Sequence, residues 1–362
     1  MSGKEKCYEL KKYREALADL YGVKGFKFKE CLSKGKCVGT CSRCDKEVQR
    51  LNKKIGFYNL RELEWPNMRK IDVRTPFNIK EYFRNNTSHS SSIVGNIFGI
   101  DRLCLSTDGP GITTLVGLKN CSLNCDYCIN KDASETYSIS VEDLFEIVSM
   151  DSLYYIHSGG GICFGGHEPL LQPEFLLEFL KYVRNREPFW KVGIQTSLNV
   201  ELTDIVKVLL SELDFLIVDI KSMDSDIYKR YTGKDNTLVI ENLNFIKNNR
   251  GFGRKLKIKV PNIKGYTDDL TVTESIQKLF NMGFLFRDIE VLDYVTPPYE
   301  YNPLIDDIID GLIIEDADEN ECEPDEKFIN FSEESEKLED LEELEMWEDI
   351  RKMDDLKKKF GL

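Results

Sequence analysis

The sequence contains no long apolar run, and its main body has no excess of basic residues. No stretch of the 362 residues is apolar over the length that a membrane span needs, and the charged N-terminal segment lacks the apolar core of a secretion signal. The formal net charge of −14 arises from Asp306 onward, where 23 acidic and 7 basic residues stand, against 40 and 42 before it. We therefore predict a cytoplasmic protein that contacts neither a membrane nor nucleic acid.

The eleven cysteines lack the regular pattern of a disulfide framework, and in a cytoplasmic chain they indicate metal ligation or redox chemistry. Thr113 to Leu118 is apolar and β-branched, which predicts a buried strand, and the loop after it carries Cys121, Cys125 and Cys128. No fourth cysteine stands beside these three. Three thiolates on one loop can hold a cubane iron–sulfur cluster and leave one iron open to a ligand that is not protein.

The same CxxxCxxC spacing also occurs nearer the N-terminus, at Cys37, Cys41 and Cys44, with Cys31 close by. This first copy follows no predicted strand and has no aromatic residue before its last cysteine. Four neighbouring cysteines favour a closed metal site, which we predict to hold either zinc or a second iron–sulfur cluster. Free thiols on a surface helix turn are the alternative.

Strands and helices alternate regularly after the second cysteine loop, which predicts parallel strands joined by right-handed crossovers. The predicted strands are Thr113–Leu118, Gly161–Gly165, Lys191–Thr196, Asp214–Ile220, Lys255–Val260 and Asp288–Leu292. We divide the chain into a cysteine-rich unit (1–60), a linker (61–92), a catalytic α/β domain (93–300) and an acidic tail (301–362). The tail is predicted to be helical or disordered, because its leucines recur at helical spacing among many glutamates.

Several of these segments together resemble one enzyme family. The second cysteine loop, with Tyr127 before its last cysteine, is similar to the cluster loop of the radical S-adenosylmethionine (SAM) superfamily. Around it, SGGGICFGGHEPLLQP (158–173), VDIKS (218–222) and KVPNIKGYTDD (259–269) resemble segments of the glycyl-radical-enzyme activases, which include pyruvate formate-lyase activating enzyme. The resemblance covers roughly residues 95–300 and implies a partial (β/α)6 barrel.

The resemblance also implies site residues. Cys121, Cys125 and Cys128 would hold a [4Fe–4S] cluster, and the cofactor-binding residues would be Tyr127, Gly166, His167, Glu168, Thr196, Asp219, Lys221 and Lys259. Carbonyl oxygens and the Glu168 carboxylate would accept from the SAM ammonium. His167 stands in place of a family glycine.

The resemblance further implies a cation site and contacts at later strand ends. Thr196 and Asp219 would hold a monovalent cation beside the SAM carboxylate, although Gln195 stands where an acidic ligand is usual. Lys221 would lie near the substrate backbone, and Lys259 replaces an arginine. A structural ion pair between Asp219 and Lys221 is the alternative.

The implied reaction is reductive cleavage of SAM to methionine and a 5′-deoxyadenosyl radical, which then abstracts a hydrogen atom. The partners implied are a glycyl radical enzyme, whose glycine is the target, and a flavodoxin- or ferredoxin-type electron donor, under anaerobic conditions. A radical SAM enzyme that modifies another protein or peptide is the main alternative. A non-catalytic iron–sulfur or zinc regulatory protein is the third.

Overall fold

A computed structural model describes residues 3–23, 41–55, 75–86, 89, 92–248 and 255–294. Its helices are α1 (Gly3–Leu20), α2 (Ser42–Ile55), α3 (Ile79–Asn85), α4 (Val141–Ser149), α5 (Ser152–Ser158), α6 (Pro173–Arg186), α7 (Asp204–Glu212), α8 (Ser225–Thr232), α9 (Thr237–Asn248) and α10 (Asp269–Asn281). Its strands are β1 (Val94–Leu105), β2 (Ile112–Leu118), β3 (Tyr137–Ser140), β4 (Gly161–Gly166), β5 (Lys191–Thr196), β6 (Phe215–Asp219), β7 (Lys255–Ile263) and β8 (Ile289–Tyr294). The acidic tail lies outside the described residues. No helix within the described ranges has the length and apolar character that crossing a membrane requires.

The strands form one sheet in the order β3-β1-β2-β4-β5-β6-β7-β8. Six of these strands pair in parallel with their neighbours, namely β2, β4, β5, β6, β7 and β8. This pairing confirms the predicted parallel α/β sheet. Two antiparallel strands that we did not predict extend its edge, since β1 pairs with both β2 and β3. The carboxyl ends of the parallel strands therefore meet at one edge, where loops can build a site.

Alternation along the strands creates two packed faces. On β4, Ile162 and Phe164 join the main hydrophobic cluster under the helices, whereas Cys163 points to a smaller cluster on the opposite face with Phe215 and Ile217. The helix ends follow local chemistry as well. Ser140 caps α4 by accepting from the Asp143 backbone nitrogen at 3.0 Å.

The two N-terminal helices pack on the sheet rather than standing apart from it. Leu10 of α1 and Leu51 of α2 belong to one hydrophobic cluster with Leu103 and Leu105 of β1. A buried ion pair beside this cluster joins Arg102 to the α5 N-terminus. The division of the chain at residue 60 stays a prediction.

Candidate active site

The second cysteine loop begins where β2 ends and borders a cavity of about 590 Å³ at the carboxyl edge of the sheet. The predicted residues that line the cavity are Cys125, Tyr127, Cys128, Gly166, Asp219 and Lys221. The predicted residues outside its lining are Cys121, His167, Glu168, Thr196 and Lys259. The opposite wall comes from Phe98 on β1 and from the segment before α3. The topology thus brings the cysteine loop and the ends of three further strands around one space.

Backbone hydrogen bonds hold the cysteine loop in place. The backbone nitrogens of Asn124 and Asp126 donate to the carbonyl oxygens of Thr232 and Tyr231, at 2.9 and 3.1 Å. These carbonyls belong to the last turn of α8, where a helix leaves its acceptors unsatisfied. The Ser122 hydroxyl adds a bond to the Asn199 carbonyl oxygen at 3.1 Å. The loop is therefore clamped between α8 and the segment after β5.

The three thiols of the loop are free and lie close enough to influence one another. Burial, opposed by the charge of Lys221 and assisted by the neighbouring Cys121 and Cys128, raises the pKa of the Cys125 thiol to about 12. A thiol in this state is a poor nucleophile, because the thiolate is the reactive form. The thiolate is also the form that ligates a metal, so bound iron would displace this proton.

Gly166 ends β4 with a left-handed φ of +87°, and a Cβ there would lie 2.6 Å from the Phe98 ring and 2.9 Å from the Cα of Gly117. Its carbonyl oxygen accepts from the Asn130 side chain at 2.8 Å, which links β4 to the end of the cysteine loop. Only a residue without a side chain fits this close approach. Gly166 is thus fixed by packing on the cavity wall.

His167 is half-buried, and its ring packs at 5.1 Å from that of Phe98. Its Nε2 lies 3.3 Å from the Asn130 carbonyl oxygen, and its buried Nδ1 has no hydrogen-bond partner among the described residues. Burial lowers the pKa of the imidazole. The substitution of histidine for glycine is therefore accommodated behind the cavity wall.

Glu168 is fully buried, and its carboxylate is held by the end of β5. One oxygen accepts from the Thr196 hydroxyl at 2.6 Å, and the other accepts from the Ser197 backbone nitrogen at 3.0 Å and its hydroxyl at 2.6 Å. A fourth bond comes from the Leu170 backbone nitrogen at 3.2 Å. Burial raises the pKa of Glu168, and the hydrogen bonds from Ser197 and Thr196 oppose that rise. The carboxylate thus fixes the geometry of two strand ends.

Asp219 and Lys221 form an ion pair at the cavity, with Lys221 Nζ 2.5 Å from Asp219 Oδ2. Gln195, from the neighbouring strand β5, lines the same cavity. Lys259 pairs with Asp219 in the sheet register and donates to the Thr107 carbonyl oxygen at 3.4 Å. The ion pair that we predicted as an alternative is thus present, and both of its members also face the space where a ligand would lie.

Tyr127 stands among aromatic residues that sequence patterns did not single out. Its ring lies 6.3 Å from that of Tyr231 and 5.8 Å from that of Tyr266, and these two rings are 4.9 Å apart. Tyr266 also bonds to the carboxylate of Asp126 on the loop. No local sequence pattern predicts this aromatic cluster, because its members come from the cysteine loop, α8 and the turn after β7.

The first cysteine unit is described in part. Cys31 and Cys37 lie outside the described residues, whereas Cys41 and Cys44 are described at the start of α2. The thiol of Cys44 contacts both Cys41 and Cys7, and Cys7 was not among the predicted ligands. The contact was not foreseeable, because 37 residues separate Cys7 from Cys44.

Comparison with known proteins places this site in a family. Residues 115–273 match the model of the Radical SAM superfamily. The pyruvate formate-lyase-activating enzyme of Clostridium pasteurianum is 32% identical over 212 residues, which are 57% of this chain and 83% of that enzyme. The chain belongs to the radical SAM superfamily. Its resemblance to the activating enzymes, expected from the cysteine loop and the strand-end motifs, is confirmed.

Two further proteins are similar to parts of this chain. The (2S)-3-sulfopropanediol dehydratase activating enzyme of Klebsiella oxytoca is 27% identical, with 56% of this chain and 82% of that enzyme covered. Among solved structures, Streptococcus suis SuiB bound to S-adenosylmethionine is 15% identical with a TM-score of 0.39, covering 53% of this chain and 45% of SuiB.

This radical SAM oxidoreductase uses the cofactors of its family, a [4Fe–4S] cluster and SAM. The residues at the cavity fit both groups. Three free thiols on one clamped loop match a cluster with an open iron, and the cavity has the volume typical of small-molecule sites, roughly 300–1,000 Å³.

Proposed function

We propose that this radical SAM enzyme is an activase that abstracts a hydrogen atom from a glycine of a partner glycyl radical enzyme. The observation that carries the proposal is the cysteine loop at the mouth of the cavity, together with the named relatives, which are activating enzymes. The enzyme would act in an anaerobic cytoplasm with a flavodoxin- or ferredoxin-type electron donor. When bound, the reduced cluster and SAM supply the radical chemistry.

The chain's own residues bind and orient these groups. Cys121, Cys125 and Cys128 would ligate three irons, and the clamp on α8 would keep the loop from shifting when the cluster is reduced. Tyr127, which lines the cavity, would cover one side of the bound cofactor. Gly166 lets the β4 backbone come close to the ligand.

The charged pair would act on the ligand or the target. Lys221 lies at the cavity with its charge partly neutralised by Asp219, so it can donate to a carbonyl oxygen of a substrate backbone while remaining paired. Glu168 and Thr196 would position the strand ends that surround the ligand. The Glu168 carboxylate does so by accepting hydrogen bonds from Thr196 and Ser197. Lys259 would support the same edge from β7.

The test is radical transfer to a partner. The reconstituted enzyme, dithionite, SAM and a glycyl radical enzyme encoded beside this gene are mixed anaerobically, and electron paramagnetic resonance is recorded. We expect a glycyl radical on the partner, which disappears when the partner's target glycine is replaced by alanine. SAM cleavage without any radical on the partner would contradict the activase assignment while leaving radical SAM chemistry intact.

Modification of another protein or peptide is the second candidate. The observation that favours it is the N-terminal unit packed on β1, since α1 and α2 share a core with the sheet. Incubation of the reconstituted enzyme with SAM and an anaerobic lysate, followed by mass spectrometry, separates the candidates. A new covalent mass change on a peptide supports the alternative, whereas a radical on a glycyl radical enzyme supports the activase.

A further inference from the structure

The segment that follows Cys128 is tied to the end of β4 by contacts separate from those to α8. The Asn130 side chain donates to the Gly166 carbonyl oxygen at 2.8 Å. The Asn130 carbonyl oxygen lies 3.3 Å from Nε2 of His167. One residue of the cysteine loop is therefore held at both its side chain and its backbone, by two successive residues at the end of β4.

His167 is itself held firmly. Its backbone nitrogen donates to the carbonyl oxygen of Leu118, the last residue of β2, at 3.2 Å. Its ring packs against that of Phe98, with 5.1 Å between the ring centroids. Because the backbone and the ring are both fixed, the contact with Asn130 joins the cysteine loop to the sheet.

The two ring nitrogens of His167 differ in their surroundings. Burial lowers the pKa of the imidazole, which favours the neutral ring. The bond to a carbonyl oxygen places the hydrogen of the neutral ring on Nε2, so Nδ1 is an acceptor. That buried Nδ1 has no hydrogen-bond partner among the described residues, which is unfavourable. An apolar side chain would fill the same space without this cost, so the contact of Nε2 with Asn130 is what explains a histidine here.

The turn that His167 holds begins at the last cysteine of the loop. The Lys131 backbone nitrogen donates to the Cys128 carbonyl oxygen at 3.2 Å, and the Ala133 backbone nitrogen donates to the Asn130 carbonyl oxygen at 3.1 Å. A single residue separates Cys128 from Asn130. A displacement of Asn130 is therefore passed to Cys128 through the backbone.

We infer that His167 is a positioning residue, which fixes Cys128 by donating from Nε2 to the Asn130 carbonyl oxygen. The inference rests on the proposed role of Cys128 as a ligand of the cluster. Groups that support the ligands of a metal centre control its geometry and its affinity. The resemblance places a glycine at position 167, and a glycine has no side chain to donate, so this contact is an addition in the present chain.

Hydrogen exchange of the apoprotein tests the contact without any cofactor. The full chain is compared with His167→Ala and with His167→Gln, whose amide N–H can replace the Nε2 donor. Exchange is followed by mass spectrometry in a peptide that spans residues 129–135. We expect exchange about fivefold faster in His167→Ala, the effect of one lost hydrogen bond, and wild-type exchange in His167→Gln.

The control variant is His89→Gln, which changes an exposed histidine bonded to Asp143 and should leave this peptide unchanged. A peptide of α7 should exchange equally in all variants, which shows that they are folded. Wild-type exchange of residues 129–135 in His167→Ala would overturn the inference. Exchange in His167→Gln as fast as in His167→Ala would also overturn it, because the donor would then not be the cause.

Electron paramagnetic resonance of the reconstituted, reduced protein tests the consequence for the cluster. We expect a broadened spectrum and several-fold faster loss of iron to a chelator in His167→Ala, with both properties restored in His167→Gln. Thr203→Ala removes the cap of α7, so it lowers stability elsewhere and should leave the spectrum unchanged. Identical spectra and iron loss in His167→Ala and wild type would overturn the inference and leave the role of Cys128 intact. A wild type that assembles no cluster would instead contradict the proposed function.

Discussion

The Thr196 hydroxyl donates to the carboxylate of Glu168 at 2.6 Å, and this bond joins the end of β5 to the segment after β4. Three further donors, two from Ser197 and one from Leu170, complete the shell of the buried carboxylate. The motif position of Glu168 suggested a direct role toward the SAM ammonium. That role stays a prediction, and in the structure the carboxylate supports the strand ends.

Replacing Glu168 by glutamine tests this support of the strand ends. The amide group would set an N–H against donors that need an acceptor, so we expect a loss of about 2–3 kcal/mol in the free energy of unfolding. Urea denaturation of the apoprotein measures it, with the exposed Glu174→Gln as control. If Glu168→Gln and the wild type have the same urea midpoint of unfolding, the hydrogen bonds to the carboxylate do not stabilise the fold.

Gly166→Ala should destabilise the cavity wall. The added Cβ meets the Phe98 ring and the Gly117 backbone in a left-handed conformation, so we expect a cost of about 2–4 kcal/mol together with weaker SAM binding. Gly265→Ala is the matched control, because its φ of +84° is similar but a Cβ there meets nothing within 4 Å. The control should lose only the conformational cost, about 1–2 kcal/mol. Equal losses in both variants would refute the close-packing explanation.

The ion pair of Asp219 and Lys221 predicts that SAM cleavage does not depend on a monovalent cation. Lys221 already supplies a positive charge to Asp219, and Thr196 is engaged with Glu168. Replacing K⁺ by a bulky organic cation should therefore change kcat/KM by less than about twofold. In Lys221→Met the unpaired carboxylate should acquire a K⁺ dependence. Inactivity of the wild-type enzyme without K⁺ would contradict this prediction and would support the cation site that the family resemblance implies.

His89 provides a pH-dependent contact away from the active site. Its Nδ1 lies 2.8 Å from Asp143 and its Nε2 lies 3.7 Å from Glu146. The hydrogen bond to Asp143 raises the pKa of His89 above its ordinary value of 6.5. The contribution of this pair to stability is therefore complete below pH 6.5 and is lost as the pH rises through the raised value.

Nuclear magnetic resonance titration of the histidine rings checks this contact, and assignment is practical because the sequence has three histidines. Asp143→Asn should lower the pKa of His89 more than Glu146→Gln does, since the Asp143 contact is the closer one. The reverse order would show that the longer contact dominates.

The sequence predicted the part of the fold that depends on local pattern. Strands β4, β5 and β6 begin and end within one residue of their predicted bounds, because apolar runs are local signals. The antiparallel strand β1 was missed. Its glycines and charged residues interrupt the alternation that marks a strand, and its stability comes from pairing with β2 and β3 on either side.

The residues of the site were likewise predictable only where the signal was a local pattern. The cysteine loop and the strand-end motifs were visible as residue patterns, and the structure gathers six of their members around one cavity. Contacts that depend on distant segments were not visible. Tyr231 and Tyr266 reach Tyr127 only through the crossover connections, and Cys7 reaches Cys44 only because two helices pack together.

Formation of 5′-deoxyadenosine tests the central claim most directly. The purified chain is reconstituted anaerobically with iron and sulfide, reduced with dithionite and given SAM, and the products are quantified by chromatography. Wild type and Cys104→Ala should form 5′-deoxyadenosine and methionine together, whereas Cys125→Ala should fall to the level of a protein-free control. Product formation that survives replacement of Cys121, Cys125 and Cys128 by alanine, or its absence from the reconstituted wild type, would contradict the account.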